Sequence, residues 1–135
     1  AEDLEILRGV EDQKAYDAGL NNKVTAYDLM LVLSAVAQGR PESSDRMLEI
    51  LKQQEFNEKI PAGLPPGTPV AHKTGDITKV HHDAAIVYPP GESPYVLVVL
   101  TSGIADEKVA DQTIAEISRA VWEGRKESVH RKRLK

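Results

Sequence analysis

Two apolar runs, AAIVY (84–88) and YVLVVLT (95–101), are separated only by PPGESP (89–94). Runs of this length closed off by a Pro/Gly-rich turn predict two strands joined as an antiparallel hairpin. The second run constrains the fold more than any other segment, because it is apolar on both faces. Alternation sends Leu97 and Val99 to one side and Val96, Val98 and Leu100 to the other. Such a strand needs cover on both sides. A C-terminal helix, with Asp106 as its cap and Ala110, Ile114, Ile117 and Val121 on one face, covers one of them. The other face is expected to meet a partner chain or sequence outside these residues.

The chain before the hairpin reads as helix, then connector, then strand. Residues 1–7 suit a short helix or a frayed end, and 8–24 a loop with one helical turn. Thr25-Ala26-Tyr27-Asp28 fits a capping box with Asp in place of Glu. It opens a helix over Leu29–Ala37 that is apolar nearly all round, so burial on most sides is expected. Gly39 ends it. A second helix follows, capped by Ser43 or Ser44, with Met47, Leu48 and Leu51 as its apolar stripe. PAGLPPGTP (61–69) holds four Pro and two Gly and cannot be helix interior or central strand. VAHKT (70–74) is a short strand. The expected class is α+β: helices, a three-stranded antiparallel sheet, then a C-terminal helix.

At 135 residues the chain suits one domain. With no Cys it has no disulfide framework, thiolate metal site or cysteine nucleophile. No apolar run approaches the roughly 18–20 residues of a membrane span, and the acidic start is unlike a signal peptide. Charge is uneven. RKESVHRKRLK (125–135) carries a net +5, and the remaining residues carry −9. The basic block reads as a solvated, disordered tail. It lacks the aromatic residues that stack on bases, and the acidic body argues against a nucleic-acid partner.

The chemistry-bearing segment is His72-Lys73-Thr74-Gly75, at a strand end before a tight turn. K-T-G is a motif of serine β-lactamases and penicillin-binding proteins. The likeness extends to LNNKVTAYDLMLVLSAVAQG (20–39), MLEILKQQEFNEKIPAGLPPGTPVAHKTG (47–75), HHDAAIVYPPG (81–91) and YVLVVLTSGIADE (95–107). Over roughly residues 8–123 the chain resembles the C-terminal half of class A β-lactamase-related serine hydrolases, the penicillin-recognising family that includes D-alanyl-D-alanine peptidases. The resemblance implies a β-lactamase/transpeptidase-like fold, with 1–60 in the helical lobe and 61–124 in the sheet lobe.

It also implies roles. Lys73 assists electrostatically, Thr74 holds a substrate carboxylate, Gly75 lets substrate backbone approach the strand, and the Asp76 N–H is an oxyanion donor. His82, nine positions after Lys73, stands where many relatives carry a basic residue facing the same groove. The alternatives are a solvated Lys73 beside a plain turn, and a strand-entry role for His81 and His82. Those two histidines fall on opposite strand faces, so they do not form a metal pair, and neither a metal nor another cofactor is expected.

The departures are as informative. None of Ser34, Ser43, Ser44, Ser93, Ser102, Ser118 or Ser128 has Lys three positions later, so the S-x-x-K nucleophile motif is missing. An S-D-N-type motif is missing too, and Glu11 is a poor match for a deacylation base. The expectation is a C-terminal part of a serine acyl-transfer hydrolase acting on β-lactams or D-Ala-D-Ala-type peptides. It would supply the K-T-G side of the cleft and be inactive alone. The alternative is a non-catalytic carboxylate-binding or self-associating module. The expected partners are the substrate carboxylate and either the missing N-terminal half or a second copy. The resemblance implies an exported parent.

Overall fold

A computed structural model describes the backbone of residues 3–133 and the side chains up to Lys126. The elements are α1 (Gln13–Asp17), α2 (Ala26–Ala37), α3 (Ser44–Leu51), a 3-10 turn (Ile60–Gly63), β1 (Val70–Ile77), β2 (Val80–Val87), β3 (Tyr95–Ser102) and α4 (Glu107–Arg133). The strands lie in the order β1-β2-β3, both pairs antiparallel.

Local chemistry sets the helix ends. The Thr25 hydroxyl oxygen accepts from the Asp28 N–H at 3.1 Å, and the hydroxyl donates to Asp28 Oδ2 at 2.8 Å. α2 closes on Gly39, whose φ of 68° suits glycine. The Arg40 N–H donates to Ala35 O and the Gly39 N–H to Val36 O, a Schellman motif. Ser43 caps α3 by position without a side-chain bond, while Ser44 Oγ donates to Pro41 O at 2.6 Å. Asp106 Oδ1 accepts from the Lys108 N–H at 2.9 Å and so caps α4 as expected.

β3 splits its side chains between two cores, as alternation requires. On one face Ile60, Leu64, Ala85, Val87, Val99 and Ile114 are buried together, with Leu97 and Trp122 packed against them. On the other, Leu33, Val36, Ala71, Ala84 and Ile86 form a second core with Leu48, Leu51, Val96 and Val98. The sheet is thus sandwiched between α4 on one side and α2 with α3 on the other. The expected outside cover for the second face is replaced by this chain's own helices. The long connector lets α2 and α3 fold back over the sheet, and order along the chain does not reveal that.

Four finer expectations shift. α2 is not buried on most sides, since Val32 is 43% exposed. Met47 faces outward, leaving Leu48 and Leu51 as the working stripe of α3. In α4 the buried set is Ala110, Ile114, Ala115 and Ser118, while Ile117 is 39% exposed. Ser118 displaces Ile117 because its hydroxyl donates to Ile60 O at 2.8 Å inside the contact with the 3-10 turn. Helical backbone also continues through the basic segment to Arg133, where a disordered tail is expected from charge. Arg, Lys and Glu are good helix formers, and positive charge suits a helix C-terminus. Residues 134 and 135 lie outside the described residues.

At the other end no helix forms over the described residues 3–7. Glu5 pairs with Lys23 as an isolated bridge. Asn22 Oδ1 accepts from the N–H groups of Leu7 and Arg8, closing the intervening loop on itself.

Candidate functional site

β1 is an edge strand, and the phase of its hydrogen bonds decides which peptide groups are available. The Tyr88 N–H donates to Pro69 O at 3.0 Å, which makes 69 and 88 a hydrogen-bonded pair. Antiparallel ladders alternate, so residues 71, 73, 75 and 77 are tied to β2. The two-residue turn Thr78-Lys79 fixes the same phase from the other end, since it joins Ile77 to Val80. Residues 70, 72, 74 and 76 therefore turn their peptide groups to the open edge. The Asp76 N–H is one of them.

The expected strand-end turn after K-T-G is displaced. β1 continues through Ile77, and the turn falls at Thr78-Lys79, where Lys79 adopts φ 58°. Apolar patterning stops at Thr74, so the polar second half of the hairpin was hidden from it. Gly75 accordingly serves no turn. It sits opposite His82, where a Cβ would be 4.0 Å from His82 Cβ, and leaves the sheet face open between Lys73 and His82.

Alternation separates the other motif residues. Lys73 is exposed on the α2/α3 side of the sheet, and its Nζ reaches the edge to donate to Thr74 O. Thr74 is 6% exposed and lies on the α4 side with Asp76. His82 shares the face of Lys73, but its Nδ1 turns toward β3, 2.8 Å from His81 O and accepting from the Thr101 N–H at 3.1 Å. His81 points to the opposite face, with Nδ1 2.9 Å from Asp76 Oδ1. Glu11 is exposed in the N-terminal loop.

A groove of about 610 Å³ runs beside the open edge on the α4 side, lined in part by Phe56, Lys59, Thr74, Asp76 and Asp111. Lys59, which sequence reasoning missed, is its main structural feature. It is 3% exposed, with Nζ 3.1 Å from Asp76 Oδ1 and 2.9 Å from Asp111 Oδ1. Burial alone would lower the Lys59 pKa, but Asp111 and Asp76 outweigh it and hold the ammonium above its usual 10.5. Burial likewise works to raise the Asp76 pKa, but the His81 and Lys59 contacts prevail and hold it below 3.8.

The signs give a pH prediction. The Asp76 contribution to stability is complete well above 3.8 and is lost as pH falls through its depressed folded value. That of Lys59 is complete below 10.5 and is lost as pH rises through its raised folded value. The difference in urea midpoint between the wild type and Asp76→Asn should shrink as pH falls toward about 3. A difference that persists unchanged to pH 3 would sink this assignment.

A second buried group underlies the motif. His72 is 2% exposed, and its Nδ1 lies 3.0 Å from Asp83 Oδ1; its Nε2 faces Asn57 Oδ1 at 3.3 Å. Asp83 Oδ2 accepts from the Ile60 N–H at 3.0 Å. These bonds pin residues 57–60 beneath the strand that carries Lys73. The pairing of Asp76 with His81 was readable in principle. Once the turn is placed at 78–79, the register sets 76 against 81. Lys59 and Asp111 carry no such local signal. Among the described residues no group of three or more His, Asp and Glu is arranged for a metal ion, and no helix is long and apolar enough to cross a membrane.

The profile of the Beta-lactamase enzyme family matches residues 2–124. A beta-lactamase of Bacillus licheniformis is 36% identical over 83 residues, covering 59% of this chain and 27% of that protein. Beta-lactamase 3 of Bacillus cereus is 33% identical over 85 residues, with 61% and 27% covered. Among solved structures, PBP-A superimposes with a TM-score of 0.77 at 30% identity, over 90% of this chain and 45% of that one. A beta-lactamase from Chitinophaga pinensis gives 0.80 at 27% identity, over 90% and 50%. The chain thus spans about a quarter of the curated relatives and about half of the structural ones. Since the family match runs over residues 2–124 and takes in the whole sheet with its K-T-G edge, this chain belongs to the beta-lactamase enzyme family.

Proposed function

We propose that this chain forms the K-T-G side of an acyl-transfer cleft for β-lactams or D-Ala-D-Ala-type peptides, and that the attacking serine is not among its own residues. The observation that carries the reading is the open edge of β1. There the Lys73 ammonium reaches Thr74 O, and the Asp76 N–H turns outward on the same strand. A cation and an outward N–H at one edge suit a substrate carboxylate and a developing oxyanion. Thr74 contributes from the groove side, and Gly75 leaves room for an extended substrate against the strand. His82, on the same face as Lys73 and with its Nδ1 held toward β3, is the further candidate for the substrate carboxylate. Residues 1–60 would contribute to the helical side of the cleft and 61–124 to the sheet side. The activity belongs outside the cytoplasm, where cell-wall-type peptides lie.

The reading is tested by intact-protein mass spectrometry after incubation with benzylpenicillin. No adduct is expected on this chain alone. An adduct on any of its seven serines would overturn the claim that the nucleophile lies elsewhere. PBP-A with a Leu-to-Glu substitution forms an acyl-enzyme with penicillin G, so an adduct of that kind is a sensible readout for this family.

A further inference from the structure

The proposed cleft depends on where one peptide N–H points, and that N–H belongs to a residue of an edge strand, two positions before its turn. β1 has β2 on one side only, and its last residues lead into the two-residue turn at Thr78-Lys79. Ladder bonds on one side only leave the outer edge of such a strand less constrained than a central strand. An oxyanion donor needs the opposite, because its benefit comes from a dipole fixed before the reaction begins.

The Asp76 side chain meets this need on the α4 side. Its Oδ1 lies 3.1 Å from Lys59 Nζ and 2.9 Å from His81 Nδ1, and its Oδ2 accepts from Lys59 Nζ at 3.2 Å. Lys59 in turn reaches Asp111 of α4 at 2.9 Å. The Lys59 side chain is 3% exposed, too enclosed to reach a substrate itself while it holds two carboxylates. It sits directly before the 3-10 turn, whose Ile60 is anchored to both Asp83 and Ser118. The cation is therefore mounted on a rigid segment and ties the strand end to α4.

We propose that Lys59 is a positioning residue for the acyl-transfer site, a clamp that joins Asp76 to Asp111 and thereby fixes the Asp76 peptide N–H at the open edge of β1. This rests on the cleft reading above and deepens it. The clamp acts through Asp76, so a conservative cation restores it and a neutral side chain of similar length does not. Its loss is felt first at Gly75 and Asp76, not in the two cores on either face of the sheet.

The test uses backbone 15N order parameters on the full 135-residue chain. In the wild type Asp76 should sit in the rigid range, about 0.85, and in Lys59→Met it should fall toward about 0.6 while Ile86 and Val99 stay rigid. Lys59→Arg should restore it. If Lys59→Met does not fold, Asp76→Asn cuts the same bridge from its other end and should loosen the same two residues. An order parameter at Asp76 that stays rigid in both variants overturns the clamp. So does a fall of equal size at Asp76, Ile86 and Val99, which would mark a merely structural ion pair. A parallel titration of the wild type with benzylpenicillin separates the two readings. Movement of the Asp76 amide signal supports the cleft. Local loosening in Lys59→Met with no movement on titration overturns the cleft reading and, with it, the catalytic meaning of the clamp.

Discussion

Replacing Gly63 by alanine is expected to lower stability by about 3 kcal/mol or more, among the largest single effects available in this chain. A Cβ at that position would lie 2.1 Å from Ala115 O, 2.8 Å from Ser118 Cβ and 2.9 Å from Arg119 N. Two of these are backbone atoms of α4, which cannot step aside as a flexible side chain could. The helix would have to move away from the 3-10 turn. That would open the core around Ile60 and Ile114 and stretch the Ser118 bond to Ile60 O. The measurement is a urea midpoint, with an unchanged slope showing that stability rather than compactness has changed. Gly124→Ala is the control. That glycine lies within α4, and a Cβ there would meet nothing within 4 Å, so the change should be neutral or stabilise by up to about 1 kcal/mol. A Gly63→Ala protein within about 0.5 kcal/mol of the wild type would refute the close-packing account.

Asp83→Ala is expected to cost about 3–5 kcal/mol, because it removes the partner of two buried groups at once. Asp83 is fully buried, and it receives the Ile60 N–H and the His72 ring. Alanine would leave both without an acceptor in a place water does not reach. Asp83→Asn should cost less, since its one carbonyl oxygen can still satisfy one of the two donors. Removing His72 as well should cost less than the sum of the two single changes, because the ring's need for a partner disappears with it. Additive losses in that cycle would show that the two residues act independently. His72 precedes Lys73, so loosening the His72–Asp83 pair loosens the strand that presents the motif.

Much of the fold was legible from local chemistry. The Thr25 box, the Gly39 stop, the Pro-rich connector and the β2–β3 hairpin all depend on residues near one another in the chain. The two faces of β3 followed from strict alternation alone. What went astray shares one cause: patterning sees apolar residues and passes over polar ones that are buried. The buried His81 and Asp83, with the more exposed Asp76 opposite His81, made the far half of the β1–β2 hairpin look like a loop, although the strands run to Ile77 and begin at Val80. Ser118 was passed over for Ile117 for the same reason. K-T-G itself stood out in the sequence, but the opposite facing of Lys73 and Thr74 required the strand to be placed correctly.

The sequence by itself determined the family, the helix caps and the presence of a K-T-G strand without an S-x-x-K serine. These depend on residue identity and short spacings, which survive without knowledge of the fold. Tertiary structure alone decided that α2 and α3 cover the second face of the sheet, and that Lys59 joins Asp76 to Asp111 across 17 positions on one side and 52 on the other. Contacts at such separations are fixed by how the helices dock on the sheet. Docking is a collective outcome of shape and burial, and no local pattern encodes it.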